Sequence, residues 1–243
     1  YVVNDIHGLN DNLKAMLKDV SFETTDLVIF NGDMVDHLQD ESSIFTDFMD
    51  TSIELFASEV PVFYARGNHE TRGAFSTQFP DYFPTNNDKL YYTFKQGPAF
   101  FIVLDSGEDK PDSDIEYFGL SDFDKYRTKQ QEWLKEVVKS DEFKSAPFKV
   151  VILHIPPRGS WHGGLDLRDK FLPVLNDNSI DVMLSGHTHN FEYITPESYS
   201  FTDFPIFIND NETYLFINAT ENKMVIQQKD MTGRVLNEFH YEN

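Results

Sequence analysis

Apolar residues along the first three quarters of the chain follow two alternating patterns. Short continuous apolar runs, which are typical of buried strands, occur at Val2-Val3, Leu27–Phe30, Val62–Tyr64, Val150–Leu153 and Val182–Leu184. Apolar residues also recur at helical spacing over Leu13–Val20, Ile44–Met49, Trp133–Val138 and Phe171–Leu175. Because strand and helix signals alternate, we expect parallel βαβ units in this part of the chain.

The remaining segments carry mainly strand and turn signals. Hairpins are predicted around Gly97-Pro98, Asn209-Asp210-Asn211 and Thr232-Gly233, and successive strands are expected from Phe191 onward. The polar segment 106–126 is too long for an ordinary connection, so we expect a functional or mobile loop there. Together these patterns predict an α/β fold of two stacked mixed β-sheets flanked by helices, in a single domain over residues 1–243.

Net charge and composition narrow the possible partners. A formal net charge of −21 repels polyanions, so no nucleic-acid partner is expected. No apolar run approaches the roughly 20 residues that span a bilayer, so we expect no membrane insertion. The chain has no cysteine, which excludes disulfides and thiolate metal sites and favours an extracytoplasmic or secreted location. It begins at Tyr1 in strand-like sequence, and we expect residues upstream of it.

Each predicted strand of the α/β part is followed by residues that can bind metal. These groups are Asp5-Ile6-His7-Gly8, Asn31-Gly32-Asp33-Met34-Val35-Asp36, Arg66-Gly67-Asn68-His69-Glu70, His154, and Gly186-His187-Thr188-His189. Since ligands bind beyond the carboxyl ends of strands in open α/β sheets, the five groups should converge on one site. Their mixture of imidazole, carboxylate and amide oxygen suits divalent Mn, Fe, Zn or Ni.

The order of these groups resembles the calcineurin-like metallophosphoesterase family over nearly the whole chain. The matching motifs read DxHG, GDxxD, GNHE, an isolated His after a strand, and GHTH. Tyr91–Asp105, Gln131–Leu134 and the strand ending at His154 are most similar to the purple acid phosphatase branch. The resemblance implies a four-layer αββα sandwich that holds two divalent metal ions.

Two departures separate this chain from that branch. The first motif of purple acid phosphatases lacks a histidine where this chain has His7, and their second motif has a metal-binding Tyr where this chain has Asp36. The purple colour and the ferric site are therefore not implied. Purple acid phosphatases also often carry an N-terminal β-sandwich, which would fit the start of this chain.

The resemblance assigns roles to individual residues. One cation would be held by Asp5, His7 and His189 and the other by Asn68, His154 and His187, with Asp33 bridging the two. A bridging hydroxide would attack phosphorus in line, and Arg66 would offset charge on the phosphate oxygens. His69 would donate a proton to the leaving oxygen or stabilise its charge, and Asp36 would orient His69.

Several other residues are candidates with more than one interpretation. Arg158 and His162, in the loop after His154, could contact substrate, as could Asn68 and His69. Arg66 could equally brace its own turn through a salt bridge. Glu70 is expected to hydrogen-bond around the ligands rather than react. The acidic run Glu108–Asp114 is interpreted as a solvated loop that could discriminate between substrates, and His37 and His240 as surface residues.

The preferred function is hydrolysis of a small phosphorylated substrate, phosphomonoesters first. Phosphodiester or nucleotide pyrophosphate hydrolysis is the alternative, because the same ligand set serves all of these reactions. A non-catalytic metal-binding or phospholigand-binding module would have less reason to keep the full ligand set. An acidic cation-buffering or adhesion protein would explain the charge, but not histidine and asparagine at strand ends. The sequence leaves the oligomeric state open.

Overall fold

The computed structural model describes residues 1–21 and 23–243. Its strands are β1 (Val2–Val3), β2 (Val28–Asn31), β3 (Val62–Ala65), β4 (Tyr92–Gln96), β5 (Ala99–Leu104), β6 (Phe148–Leu153), β7 (Val182–Ser185), β8 (Glu192–Ile194), β9 (Ile206–Ile208), β10 (Thr213–Thr220), β11 (Lys223–Asp230) and β12 (Val235–Glu242). The α-helices are α1 (Asn10–Leu17), α2 (Glu41–Ile44), α3 (Asp50–Ser52), α4 (Phe79–Tyr82), α5 (Phe123–Val137), α6 (Asp141–Ser145) and α7 (His162–Asn176). Two π-helical segments, Phe45–Met49 and Ile53–Ala57, extend α2 and α3.

The strands form two mixed sheets, as the sequence predicted. The first has the order β12-β11-β10-β1-β2-β3, in which β1, β2 and β3 are parallel. The second has the order β4-β5-β6-β7-β9-β8, in which β5, β6, β7 and β9 are parallel. In each sheet the parallel strands lie beside one another, so their carboxyl ends share one edge.

Three apolar layers hold the two sheets and their helices together. Side chains alternate along a strand, so Phe101 and Val103 of β5 face the first sheet while Phe100 and Ile102 face α5 and α7. On the first sheet, Phe30 of β2 packs in the same way against the layer that includes α1. The result is a helix–sheet–sheet–helix sandwich, which confirms the predicted fold class.

The prediction of a hairpin at Asn209-Asp210-Asn211 is wrong. β9 belongs to the second sheet and β10 to the first, so this segment crosses between the sheets. The Asn209 side-chain amide donates to Asn4 Oδ1 at 3.2 Å and to the Thr213 carbonyl at 2.9 Å, which fixes the crossover. The hairpin lies instead between β10 and β11, and the one at Thr232-Gly233 is confirmed.

The loop predicted over residues 106–126 ends earlier than the sequence suggested. Helix α5 begins at Phe123, because the Asp112 carboxylate accepts hydrogen bonds from the backbone of Phe123 at 2.8 Å and of Asp124 at 3.1 Å. A short 3₁₀ turn, Ile115–Tyr117, lies within the segment. Across the part of the chain that the structure describes, no helix has the length and apolar character needed to cross a membrane.

Candidate metal centre

The predicted ligands meet at the edge where the parallel strands of both sheets end. The first sheet supplies Asp5, His7, Asp33, Asn68 and His69, and the second supplies His154, His187 and His189. Three groups have ligand atoms within 4.8 Å of one another: Asp5 with His7 and His189, His7 with Asp33 and His69, and Asp33 with His154 and His187. The first group contains the residues of one predicted ligand set. The third contains His154 and His187 of the other set together with Asp33, the predicted bridging residue, which belongs to two of the three groups.

Asp5 presents one carboxylate oxygen to the first group. Its Oδ2 accepts hydrogen bonds from Asn4 Nδ2 at 2.7 Å and from the His187 backbone at 2.8 Å. Its Oδ1 is buried and has no hydrogen-bond partner among the described residues. His189 Nε2 lies 3.2 Å from Oδ1, and His7 Nε2 lies 3.2 Å from His189 Nε2. A cation would satisfy the oxygen that is otherwise without a partner.

His154 of the third group is oriented as a ligand by a hydrogen bond from its other ring nitrogen. Its Nδ1–H donates to the Asn31 carbonyl at 2.7 Å, so Nε2 is the nitrogen that would bind a metal once it has lost its proton. Nε2 lies 2.9 Å from Asp33 Oδ2, yet the two atoms lack the alignment of a hydrogen bond. Asn68 Oδ1 is likewise buried and has no hydrogen-bond partner in residues 1–21 and 23–243. This donor set fits a borderline divalent cation.

Burial and mutual charge shift the proton equilibria of these groups. Burial lowers the pKa of His187 to about 4, so this imidazole is neutral at neutral pH, as a metal ligand must be. Burial alone would also lower the pKa of His154, but Asp33 and Asp5 beside it raise that pKa to about 10. In the metal-free protein a proton on His154 therefore stands where a cation would bind, and metal binding would release it.

Several ligand residues at the centre have a left-handed backbone conformation, which is unfavourable for residues that carry a side chain. Asp5, His7, Asp33, His187 and His189 all have positive φ, between 48° and 74°. Non-glycine residues rarely adopt this region, and where they do the strain tends to mark functional sites. The turns hold their carboxylates and imidazoles toward one another before any cation binds.

Two glycines are required by the close packing around the carboxylates. A Cβ atom at Gly67 would lie 2.2 Å from Asp33 Oδ1, and one at Gly186 would lie 2.5 Å from Asp5 Oδ2. Any side chain at either position would displace a candidate ligand. Glycine at both positions therefore lets these turns pack directly against the Asp33 and Asp5 carboxylates.

Glu70 hydrogen-bonds to the backbone of the turns that carry candidate ligands, as the sequence suggested. Its carboxylate is fully buried and accepts hydrogen bonds from the backbone of Asp33 at 3.0 Å, Met34 at 2.7 Å and Gly67 at 2.8 Å, and from Tyr64 Oη at 2.8 Å. Burial and the neighbouring Asp33 carboxylate raise the pKa of Glu70. One side chain therefore joins the loop after β2 to the loop after β3.

Asp36 was expected to orient His69 through its carboxylate, and the structure differs. The carboxylate Oδ1 accepts a hydrogen bond from His7 Nδ1 at 2.8 Å and lies 3.9 Å from His69 Nδ1. The Asp36 backbone carbonyl accepts the His69 Nδ1 hydrogen bond at 2.8 Å. The reason is the positive-φ turn at His7, which carries its imidazole toward the side chain of Asp36.

Arg72 is a functional candidate that sequence reasoning missed. Its Nη1 lies 3.1 Å from His69 Nε2, and its Nε and Nη2 donate to the two Glu108 carboxylate oxygens at 2.8 and 2.9 Å. Such a two-point contact fixes the guanidinium plane. The available signal was the position of Arg72, directly after the GNHE motif and Thr71.

Arg66 takes the bracing role that the sequence left open. Its Nη2 lies 2.7 Å from Asp105 Oδ2, an oxygen that also accepts a hydrogen bond from Tyr126 Oη at 2.9 Å. Asp105 follows β5 and Arg66 follows β3, so the pair joins the two sheets beside the centre. Since Asp105 is fully buried, Arg66 acts first as a structural link.

The two residues expected in the loop after His154 are engaged elsewhere. Arg158 Nη1 pairs with Glu192 Oε2, and His162 Nε2 lies 2.7 Å from Asp124 Oδ1. Neither belongs to the groups of ligand atoms that the described residues form. A substrate contact by either residue would need this pairing to be exchanged.

The acidic run Glu108–Asp114 is not the solvated loop that the sequence suggested. Glu108 and Asp109 are buried, at 1% and 5% exposure, because Arg72 neutralises Glu108 and the start of α7 covers Asp109. Asp109 Oδ2 lies 4.0 Å from His187 Nε2. The interpretation of His37 and His240 as surface residues is confirmed.

Comparison with known proteins places this geometry in a family. A family model described as calcineurin-like phosphoesterase matches residues 1–191. Purple acid phosphatase 18 of Arabidopsis thaliana is 26% identical over 178 residues, covering 64% of this chain and 38% of that protein. Purple acid phosphatase 22 of the same plant is 25% identical over 213 residues, covering 79% and 44%. The chain spans less than half the length of these relatives.

Solved structures share the fold at low identity. A structure described as GAP50, the anchor in the inner membrane complex of Plasmodium, is similar with a TM-score of 0.63 and 16% identity, covering 99% of this chain and 87% of that one. The protein TT1561 of Thermus thermophilus is similar with a TM-score of 0.52 and 10% identity, covering 99% and 96%. At these identities the similarity concerns the fold alone.

Proposed function

The chain belongs to the calcineurin-like phosphoesterase family, and we propose that it is an enzyme that hydrolyses phosphate esters with the help of two divalent cations. The observation that carries the proposal is a set of buried ligand atoms without partners. Asp5 Oδ1, Asn68 Oδ1 and His154 Nε2 are buried, and none makes a hydrogen bond within the described ranges. Native proteins rarely leave such atoms unsatisfied, so a bound ion is their expected partner.

The residues divide the work as follows. Asp5, His7 and His189 would hold one cation, Asn68, His154 and His187 the other, and Asp33 would contact both. Such a pair of cations, when bound, lowers the pKa of a water molecule and offsets the charge of a phosphate. Mn, Zn, Fe and Ni all suit these donors.

We propose that His69 acts on the leaving group. Its Nδ1–H is held by the Asp36 carbonyl, and its Nε2 lies 4.0 Å from Asp33 Oδ2, on the side of the centre. Arg72 beside it brings a fixed positive charge, which supports binding of the phosphate oxygens. We assign to His69 the proton transfer or charge stabilisation at the leaving oxygen.

Phosphomonoesters are the substrate class that we favour. The two curated relatives described above are named as phosphatases, although the matched region is less than half of their length. The net charge of −21 also supports a small phosphorylated molecule over a nucleic acid. Hydrolysis of diesters or pyrophosphates at the same centre is the alternative that the first experiment must separate.

The test compares p-nitrophenyl phosphate with bis-p-nitrophenyl phosphate on metal-stripped protein, with Mn, Zn, Fe, Ni and Mg added back in turn. We expect metal-restored turnover of the monoester far above that of the diester. Asp33→Asn should abolish it, whereas Asp50→Asn, at an exposed helical position, should not. Stoichiometric binding of two cations without turnover of either ester would reject the enzyme and leave the binding module.

A further inference from the structure

A groove of about 800 Å³ lies beside the candidate metal centre. Arg72 joins the two, because its side chain lines the groove while its Nη1 lies 3.1 Å from His69 Nε2. Thr71, whose Oγ1 donates to the Asn68 carbonyl at 2.8 Å, lines it as well. A phosphate at the centre would therefore direct its leaving group, on the His69 side, toward this groove.

One wall of the groove is apolar and exposed. Phe118 and Leu120 line it at 83% and 88% exposure, next to Tyr117 and Phe123. Apolar side chains this exposed are ordinary when scattered, but here they cluster around one concave surface. The cluster lies in segment 106–126, which the sequence marked as too long for a plain connection.

The wall is tied to the centre through hydrogen bonds. Tyr117 Oη donates to Glu108 Oε2 at 3.1 Å, and Glu108 clamps Arg72, which contacts His69. Phe118 then has a left-handed backbone, with φ of 50°. A bulky residue seldom adopts this conformation, and here the Phe118 backbone N–H donates to the Ile115 carbonyl at 3.2 Å.

The arginine and carboxylate side chains that line the groove are held in ion pairs. Of the described residues that line it, Arg66 is paired with Asp105, Arg72 with Glu108, and Glu116 with Lys110. Asp122 is paired with Lys125, and the exposed His37 also lines the groove. An additional anion on the leaving group would find, among those residues, no lysine or arginine without an acidic partner. Charge therefore favours a leaving group that carries none.

We propose that this groove is the leaving-group subsite, that it selects phosphate esters of uncharged apolar alcohols, and that Phe118 and Leu120 determine this preference. The proposal rests on the function assigned above and adds the chemical class of the substrate. The occupant would be the apolar part of a small substrate molecule whose phosphate lies at the metal centre. This apolar part would be removed from water by packing against the wall. Each methylene buried completely there is worth about fourfold in binding, and a half-buried one about twofold.

The experiment uses n-hexyl phosphate and ethyl phosphate on the metal-loaded chain. Their leaving alcohols have nearly equal acidity, so a difference in kcat/KM reports contacts and not chemistry. We expect hexyl phosphate to be favoured roughly tenfold, since its four additional methylenes would be partly buried. Phe118→Ser and Leu120→Ser should each reduce that ratio about threefold, and the double variant should bring it close to one.

Ile115→Ser is the matched control. Ile115 lies in the same segment at 84% exposure but does not line the groove, so its replacement should leave the ratio unchanged. A hexyl ester that ends in a carboxylate should lose most of the gain. A better substrate with that carboxylate, or an equal effect of Ile115→Ser, would overturn the proposal.

Binding separates failure of the subsite from failure of the proposed function. Hexylphosphonate and ethylphosphonate cannot be hydrolysed, so calorimetry on the metal-loaded protein tests the groove without turnover. Tighter binding of hexylphosphonate that Phe118→Ser removes would support the subsite even if no ester is hydrolysed. Equal binding of the two phosphonates, with active hydrolysis of both esters, would reject the subsite and keep the phosphoesterase.

Discussion

Asp36 holds two histidines at once, His7 through its carboxylate and His69 through its backbone carbonyl, each at 2.8 Å from the imidazole Nδ1. Both hydrogen bonds fix the ring with Nε2 toward the centre. A carboxylate behind a ligating histidine also makes that ligand more basic. The two functions of Asp36 can be separated, because substitution removes the carboxylate and keeps the carbonyl.

Asp36→Ala should weaken the binding of one cation and spare the other. We expect a loss of about 10–100-fold in affinity at the group formed by Asp5, His7 and His189, because His7 loses its partner. Titration calorimetry with Mn or Zn on metal-stripped protein measures both sites. Asp50→Ala, at an exposed helical position, serves as control, and an unchanged affinity in Asp36→Ala would refute this role.

His69→Ala should keep both cations and lose turnover by about 10²–10⁴-fold, the usual contribution of an acid–base group. Metal content by elemental analysis and kcat with p-nitrophenyl phosphate give the two readouts. His240→Ala, on the exposed strand β12, should change neither. Loss of one equivalent of metal would instead identify His69 as a ligand in the group with His7 and Asp33.

Glu70→Gln should destabilise the fold as well as the centre. The Gln amide would set its own N–H groups against backbone N–H donors, and leaving such donors unsatisfied costs on the order of 3 kcal/mol. Urea unfolding of the metal-free variant measures that loss. Glu59→Gln, which is exposed, should stay within about 0.5 kcal/mol of wild type.

The pair of Arg72 and Glu108 should make stability depend on pH in the acid range. Burial alone would raise the pKa of Glu108, but hydrogen bonds and the charge of Arg72 lower it below its usual value of 4.5. A lowered folded-state pKa contributes stability above about pH 4.5, and this contribution is lost as the pH falls through the folded value.

Denaturant unfolding of metal-stripped wild type and Glu108→Gln, compared between about pH 6 and pH 3, tests this dependence. The variant should be less stable by about 2 kcal/mol at the upper end, and the difference should shrink toward the lower end. A difference that stays constant with pH would show that the Glu108 charge does not stabilise the fold.

The strands and the metal-binding groups were predictable because both depend on short stretches of sequence. Val182–Leu184 reads as a buried strand by itself, and the Gly186–His189 group follows it directly. Shared placement at the carboxyl ends of strands then sufficed to bring the ligands together. The fold class and the ligand groups follow from such local patterns, with the family resemblance supplying their order.

The partners of individual side chains were beyond the reach of local patterns. The sequence could not show that Asp36 meets His7, because positive-φ turns decide where each imidazole points. The burial of Glu108 depends on Arg72, which is 36 positions earlier in the chain. The segment around Asn209 has the composition of a turn. In the structure it connects the two sheets, and the Asn209 side chain hydrogen-bonds to Asn4.

The two sheets both contribute ligands, so the geometry of the centre depends on the position of one sheet relative to the other. Asp5 and Asp33 extend from the first sheet, and His154 and His187 from the second. A cation bound between these residues would cross-link the two sheets. Its binding energy would then oppose any displacement of one sheet relative to the other. Substitutions deep in the layer between the sheets, around Val103 and Ile152, could then change catalysis from a distance by shifting one half of the coordination shell against the other.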